Sequence, residues 1–347
     1  MNTKIINESG AVEDLFNQLK NLKINRFHSI YDIIDFKNNY QIEIKNYKNQ
    51  IMFEIKNEIE TLYLEKETLL EKYNVNKETQ IAKISNKLHK YESIINNSKK
   101  NIFSKIYCFF IRTNLNLITK NYDKIIEKPI KRYLSKINKC DHRISYLTAN
   151  QIDETESRSK DYIKNINYIV NVLQNLTPLI YGGIGELKAI NLFKKLPVDY
   201  YIINNYCRTF NPPLFNKNEK DRIFSTQIDH IVIGPTGVYV IETKYWSKRS
   251  IDSIDLFSPI KQLRRSGYAI FVVLNSLINS DRNSVFSNHW GNTKISVSNI
   301  LLMMNSITNE QFQFVKVLSE SNFINYITKR PIILSNDQIQ YLVNKLT

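Results

Sequence analysis

Residues 11–181 contain no glycine, and this gap limits what the first half of the chain can fold into. Of the eight glycines, one is Gly10 and the other seven lie in the second half. The same stretch holds only two prolines, Pro129 and Pro178. A β-domain of this length needs tight turns, which favour Gly and Pro, so the gap predicts that residues 1–175 are nearly all helical and that strands appear only after about residue 198.

Residues 40–73 show the periodicity expected of such a helical region. Apolar residues recur at steps of three and four, with Glu and Lys between them, and they form a broad stripe rather than a strict coiled-coil seam. We interpret the stripe as the packing surface of a long antiparallel helical hairpin or coiled-coil bundle. Residues 74–76 predict a break, after which the helical pattern resumes at 78–95.

The chain is strongly basic, with a formal net charge of +15. This charge suggests an anionic partner such as nucleic acid, although a genome rich in AT also favours lysine codons. Residues 99–143 hold twelve Lys or Arg against three acidic residues, with aromatics interleaved. One interpretation is a phosphate-contacting face that includes Lys131 and Arg132, and the other, more common for a charge run, is a solvated helical face.

Cysteine content and hydropathy predict the compartment. The three cysteines are odd in number and have no metal-like spacing, which is typical of a reduced, cytoplasmic protein. The N-terminus has early acidic residues and no long apolar core, so no signal peptide is expected. The longest uncharged run, 165–185, contains Asn, Gln, Pro and Gly, so we expect no membrane partner.

Two β-branched runs, 228–233 and 238–244, predict a β-hairpin, because the four residues between them are rich in Gly and Pro. If Ile233 faces Val238 across the turn, facing residues pair in order down the two strands. Asp229 then lies opposite a carboxylate of the second strand, with the Cβ atoms about 4.5–5.5 Å apart.

That opposing carboxylate is Glu242, and Lys244 shares its face because side chains alternate along a strand. Like charges this close are unfavourable unless a cation lies between them, so the geometry predicts a divalent-metal site. A solvated strand edge explains the hairpin motif alone about equally well. His230 points to the opposite face from Asp229 and is expected to be structural.

Elements on either side of the hairpin distinguish these interpretations. A glycine-rich segment opens a helix that runs to Leu196, and a second helix begins at Pro259. The whole pattern resembles the PD-(D/E)xK nuclease superfamily and, within it, the nuclease-related domain (NERD) family, over about residues 180–345. The matching elements are G-x-x-G-E at 182–186, Q-I-D-H at 227–230, I-E-T-K at 241–244 and P-x-x-Q at 259–262.

One departure from the family pattern lies at residues 207–226, which are longer and more polar than expected, and we interpret them as an inserted loop. Ser335 and Gln338 further predict a capping box and a terminal helix that runs to Leu346.

The resemblance implies an α/β restriction-endonuclease-like (PD-(D/E)xK) domain with a mixed central sheet over residues 176–347, after a coiled-coil-like region. It implies a metal-dependent endonuclease that hydrolyses phosphodiester bonds of DNA. Mg²⁺ or Mn²⁺ would be held by Asp229, Glu242 and the carbonyl of Thr243, with Glu186 reaching the metal directly or through water. The other expected roles are transition-state stabilisation by Lys244, orientation of a ligand or phosphate by Gln262, and a grip on the nucleic-acid backbone by Lys261, Arg264 and Arg265.

Family analogy further implies that the helical region forms a homo-oligomer and that the cellular role is defence against foreign DNA or DNA processing on a mobile element. Two other functions remain open. One is a non-catalytic nucleic-acid-binding or scaffold protein that retains a nuclease-like fold, and the other is a helical assembly module whose partner supplies the activity.

Overall fold

The computed structural model describes residues 4–98, 102–217, 219–253, 257–281, 285–288, 291–292 and 294–347. The chain divides into two compact units, Asn38–Tyr168 and the combination of Met1–Lys37 with Ile169–Thr347. This division differs from the predicted boundary at residue 175, because the first 37 residues belong with the second half of the chain.

The unit Asn38–Tyr168 is helical where described, and its helices pack through a series of small apolar clusters. Ile55 packs with Leu147, while Leu69 packs with Ile137 farther along the chain. Residue numbers therefore increase along one helix as they decrease along the helix packed against it, which confirms an antiparallel helical hairpin. The helices that contribute to this unit are α2 (Ile30–Asn96), α3 (Ile102–Lys120), α4 (Tyr122–Ala149) and α5 (Gln151–Asn175).

The break predicted at residues 74–76 is wrong, because α2 is continuous from Ile30 to Asn96. The side-chain amide of Asn76 donates to the carbonyl of Lys72 at 2.7 Å, one turn earlier, and so remains compatible with the helix. Val and Asn cost well under about 1 kcal/mol relative to Ala in a helix, which packing against α4 easily offsets. None of the described helices is long and apolar enough to cross a membrane.

The second unit is built on a mixed six-stranded sheet with the order β1-β2-β3-β4-β7-β8. The central pairs β2–β3 and β3–β4 are antiparallel, whereas β1–β2, β4–β7 and β7–β8 are parallel. A mixed sheet with helices is therefore confirmed. The strands are β1 (Lys4–Ile6), β2 (Tyr201–Asn216), β3 (Asp221–Gly234), β4 (Gly237–Lys244), β5 (Ser287–Asn288), β6 (Gly291–Asn292), β7 (Val297–Met303) and β8 (Val315–Ser319), of which β5 and β6 form a separate pair.

The strand β1 contradicts the expectation that strands appear only after about residue 198. Lys4 pairs with Tyr201 and Ile6 with Ile203, so β1 extends the sheet along the edge of β2. Three residues are too few to show a two-residue period, and the partner lies almost two hundred positions away. The unpaired backbone groups of the β2 edge explain why the segment becomes a strand.

Helices cover both faces of this sheet. Successive side chains of β4 therefore pack in two different hydrophobic cores, one on each face. Val238 and Val240 pack with α8 (Phe257–Ser280) and α10 (Asn336–Leu346). Tyr239 and Ile241 pack instead with α6 (Thr177–Phe193) and α9 (Glu320–Thr328). The remaining helices are α1 (Gly10–Asn21), which contacts α6, and α7 (Lys248–Ser253).

The terminal helix α10 confirms the capping-box prediction. Ser335 accepts from the backbone of Gln338, and the Gln338 side chain accepts from the backbone of Ser335. The helix ends at Leu346, as expected.

The hairpin register is confirmed. Ile233 pairs with Val238, and His230 pairs with Ile241, across a turn at residues 235–236. The four apolar or aromatic side chains between these pairs are buried, which fixes the register, since a one-residue slip would turn each of them to the wrong face.

Gly234 allows the ring of Tyr200 to lie against this turn. A Cβ added at Gly234 would lie 2.2 Å from Cδ1 of Tyr200, and that ring is buried and held by a hydrogen bond to Thr236. We therefore expect Gly234→Ala to lower the free energy of unfolding by about 1–3 kcal/mol. Denaturant titration measures this loss, and Gly182→Ala is a matched control because its added Cβ meets only ordinary van der Waals contact at 3.6 Å. Equal stability of the two variants would contradict the prediction.

The segment 207–226 is not an inserted loop, and that prediction is wrong. Strands β2 and β3 remain paired there, with Arg208 opposite Thr226 and Phe215 opposite Arg222. The register shifts between Thr209 and Leu214, which interrupts the two-residue alternation in the sequence and hides the strand pattern. We call residues 207–227 the β-arm.

Candidate active site

The candidate site lies where the β3–β4 ladder ends. The last backbone pair is His230 with Ile241, and one position farther the carboxylate of Asp229 takes over from the backbone. Its Oδ2 accepts the N–H of Thr243 at 2.9 Å. The N–H and C=O of a strand residue point to the same edge, so the Thr243 carbonyl is also directed toward the β3 side, past the end of the ladder.

Glu242 and Lys244 form an ion pair at the same end of β4. The Lys244 Nζ lies 2.7 Å from Oε1 of Glu242, whose side chain is only 5% exposed. A carboxylate buried this deeply is costly without a partner, and the ammonium provides one.

Glu186 reaches the site from α6. Gly185 lets the helix approach the end of β4, because a Cβ at that position would lie 2.9 Å from the Cβ of Tyr245. The Glu186 carboxylate is buried, and its Oε2 accepts the hydroxyl of Ser9 at 2.5 Å and the N–H of Ala11 at 3.4 Å. The start of α1 therefore holds this carboxylate in place.

The electrostatics show that these four groups act on one another. Burial and then repulsion by Glu242 raise the pKa of Asp229 well above its usual value. Burial also raises the pKa of Glu186. Burial opposes the charge of Lys244, but attraction by the three carboxylates outweighs it and the pKa of Lys244 is raised. One ammonium thus faces three carboxyl groups, and an additional cation bound there would reduce the repulsion between them.

The donor chemistry of this group fits a hard divalent cation. Its hydrogen bonds use Oδ2 of Asp229, Oε1 of Glu242 and Oε2 of Glu186, so the second oxygen of each carboxylate has no hydrogen bond to a described residue. Carboxylate and carbonyl oxygens are the ligands that Mg²⁺ and Mn²⁺ prefer. Within the described part of the chain, no three Asp, Glu, His or Cys side chains are grouped closely enough to hold a metal ion as they stand. Metal binding would require the carboxylates to converge.

Arg264 and Arg265, predicted to grip nucleic acid, are bound to the β-arm. Arg264 donates to the carbonyl of Gln313 at 2.8 Å and lies 3.5 Å from Glu219. Arg265 forms an ion pair with Asp221 at 2.6 Å. Both guanidinium groups therefore connect α8 to acceptors elsewhere in the unit, and their nucleic-acid role stays a prediction.

The other predicted binding residues are exposed. Lys261 and Gln262 lie on the first turns of α8, and among the described residues no hydrogen bond or ion pair joins them to the three site carboxylates. Lys131 and Arg132 are exposed on α4, in the helical unit, where the Arg132 guanidinium lies 4.8 Å from the ring centre of Tyr133. The roles assigned to these residues stay predictions.

His230 lies in the core rather than in the site. Its Nδ1 is 2.8 Å from Oδ1 of Asn204, and its ring meets Phe193 edge to face at 5.0 Å between centroids. Both contacts are structural, as expected from strand alternation.

Ser9 is the site residue that the sequence did not reveal. It caps α1, where its hydroxyl oxygen accepts the N–H of Val12 while its proton goes to Glu186. A serine before a helix signals a cap, but nothing in the sequence connects position 9 with position 186. The packing of α1 against α6 brings the two together.

Comparison with known proteins gives one match. Residues 181–286 match the family model of the nuclease-related domain (NERD). This confirms the resemblance drawn from the four sequence elements, although the match is shorter than the expected 180–345. The matched segment holds Glu186 and the entire β3–β4 hairpin. No curated protein and no solved structure matches the chain.

Ser9→Ala should destabilise the fold through Glu186. The change removes a hydrogen bond to a buried carboxylate and one helix cap, so we expect the free energy of unfolding to fall by about 2–3 kcal/mol. Denaturant titration measures it, and a double-mutant cycle with Glu186→Gln separates the two contributions. In the Glu186→Gln background the loss should be smaller, since a neutral acceptor bonds more weakly. An equal loss in both backgrounds would reduce Ser9 to a helix cap.

Proposed function

We propose that the unit formed by Met1–Lys37 and Ile169–Thr347 is a metal-dependent endonuclease with a PD-(D/E)xK fold that hydrolyses phosphodiester bonds of DNA. One observation carries the proposal. Within the segment that matches the nuclease-related domain, the carboxyl groups of Glu186, Asp229 and Glu242 and the ammonium of Lys244 interact electrostatically at the end of β4, and burial and mutual repulsion raise the pKa of Asp229.

The metal would be Mg²⁺ or Mn²⁺, held by Asp229 and Glu242, with the Thr243 carbonyl and Glu186 as further ligands. The oxygens of these carboxylates that have no hydrogen bond to a described residue support this assignment. A divalent cation there supplies Lewis acidity toward a phosphate oxygen and a bound water of lowered pKa.

Lys244 would stabilise charge rather than move a proton. A general base must be able to lose its proton near neutral pH, but the surrounding carboxylates raise the pKa of Lys244. Its ammonium therefore stays charged as a fixed point charge beside the carboxylates. Such a group suits the negative charge that develops on phosphoryl oxygens in the transition state.

A second candidate is a non-catalytic nucleic-acid-binding or scaffold protein that retains the fold. The Lys244–Glu242 pair favours it, because the ammonium neutralises a carboxylate that a metal would otherwise use. The two functions differ in Mn²⁺ binding by the full-length protein at neutral pH, which only the nuclease requires.

The decisive experiment is a cleavage assay on linear, circular and single-stranded DNA and on RNA, with Mg²⁺, with Mn²⁺ and with EDTA. We expect DNA cleavage that requires the metal. Cleavage that persists in EDTA, or none with either metal on any substrate, would contradict the proposal.

Two wider parts of the proposal rest on family resemblance alone. A role in defence against foreign DNA predicts that cells carrying the wild type resist infection better than cells carrying Asp229→Asn. A homo-oligomer formed through the helical unit predicts a solution mass that is a multiple of 40.9 kDa by light scattering.

A further inference from the structure

The β-arm projects from the end of the sheet that carries the candidate site. Beyond His230, β3 is no longer paired with β4, but β2 and β3 stay paired to each other as far as Asn216 and Asp221. Asp229 lies directly at the base of this extension. A ligand bound along the β-arm would therefore extend toward Asp229.

One face of the β-arm is fixed to α8. Thr226 is hydrogen-bonded to Ser266 at 3.0 Å, Asp221 is paired with Arg265 at 2.6 Å, and Ile223 is fully buried. The β-arm is thus held against the body of the unit by apolar, polar and ionic contacts.

The other face exposes aromatic and basic side chains together. Phe224 is 62% exposed and Phe215 is 51% exposed. Phe215 pairs directly with Arg222, so these two side chains share a face. Phe224 lies at the register shift between Ile223 and Ser225, and it is exposed next to the fully buried Ile223, which places it on the side away from α8. We call Phe215, Arg222 and Phe224 the outer face.

Among the described residues of the β-arm, the charged side chains that form no ion pair are all positive. Its two acidic residues are Glu219 and Asp221, and both lie beside arginines of α8. No ion pair joins the exposed cations of the β-arm to a carboxylate anywhere in the described ranges. These cations are Arg208, Lys217, Lys220 and Arg222.

We infer that the outer face binds unpaired nucleotides of a single-stranded nucleic acid, next to the nuclease site proposed above, on which this inference rests. Exposed aromatic rings stack on bases whose faces are open, and the nearby cations contact the phosphates between them. In a duplex the base faces are covered by their neighbours, so an aromatic pair on a strand gains little from it. Substrate would therefore reach Asp229 as a locally single-stranded segment.

Binding is measured on the full-length protein in EDTA, which separates it from cleavage, by fluorescence anisotropy of a labelled oligothymidine. Phe224→Ala should weaken binding roughly 5- to 150-fold, the range expected for one stacked base. Arg222→Ala should weaken binding and also lower the slope of log affinity against log salt by about 0.7. Ile332→Ala and Lys329→Ala are matched controls, since Ile332 is 78% exposed and both residues precede Ile333, which bonds to the hairpin turn at the other end of β3.

Wild-type affinity in Phe224→Ala would overturn the inference, as would duplex DNA that binds more tightly than the single strand. A different pair of results is expected if the protein has no nuclease activity. In that case the wild type would show no metal-dependent cleavage, yet Phe224→Ala would still weaken binding of the oligothymidine in EDTA.

Discussion

Replacing Asp229 by Asn should lower the rate of DNA cleavage by about 10²–10³-fold. The substitution keeps the size of the side chain and an oxygen that can accept the Thr243 N–H, but it removes one of the three carboxyl groups of the site. It should also weaken Mn²⁺ binding, because a charged ligand becomes a neutral one. Mn²⁺ titration and cleavage rates on the same preparation measure both effects.

Lys244→Ala should lower the rate by a similar factor and leave Mn²⁺ binding unchanged or slightly stronger. The ammonium now occupies Oε1 of Glu242, and its removal frees that oxygen for the cation. Lys329→Ala, an exposed lysine outside the site, is the matched control. If Asp229→Asn and Lys244→Ala both cleave at the wild-type rate, the active site lies elsewhere in the chain.

Acidification should destabilise the protein through His230. Burial lowers the pKa of this imidazole from 6.5 to about 3, so the unfolded chain takes up its proton first as the pH falls. The contribution of His230 to stability is therefore complete above about pH 6.5, falls steadily below it and levels off near pH 3. Because the pKa differs between the folded and the unfolded state, the free energy of unfolding falls by a total on the order of 5 kcal/mol over this pH range.

His230→Gln isolates this contribution. Asp229 and Glu186 have raised pKa values, so they favour the folded state as the pH falls and partly mask the histidine. The contribution of His230 is therefore given by the difference in the free energy of unfolding between wild type and variant. This difference is measured by denaturant titration in EDTA at pH 7.5, 5.5 and 4. As the pH falls, the wild type should lose stability faster than His230→Gln, and parallel curves would show instead that the imidazole takes up its proton as readily in the folded state as in the unfolded state.

The sequence predicted best what is local and strongly patterned. The hairpin register followed from two β-branched runs around a Gly-Pro turn, and the terminal helix followed from Ser335 and Gln338, three residues apart. Glu186 was found through the resemblance, since its helix and the hairpin are far apart in sequence. Long-range pairing was missed, because the strand Lys4–Ile6 exists only where the edge of β2 accepts it.

The β-arm was missed for a different reason. Its register shift breaks the alternation that reveals a strand, and exposed residues such as Phe224 make it look like a loop. Nor did the sequence indicate that Arg264 and Arg265 are paired with Glu219 and Asp221, because these acidic residues lie in a segment whose path could not be foreseen.

The two-part unit has a practical consequence for any shortened version of this protein. A fragment limited to the family match, 181–286, would lack β1, α1 and the parallel strands β7 and β8, and one that starts at Ile169 would lack Ser9. The helical unit is an insertion in the connectivity of the sheet unit, and its two ends lie together, since Tyr162 bonds to Glu43. The minimal sheet unit is therefore obtained by excising Asn38–Tyr168 and rejoining the chain through a short linker, and not by trimming from either terminus.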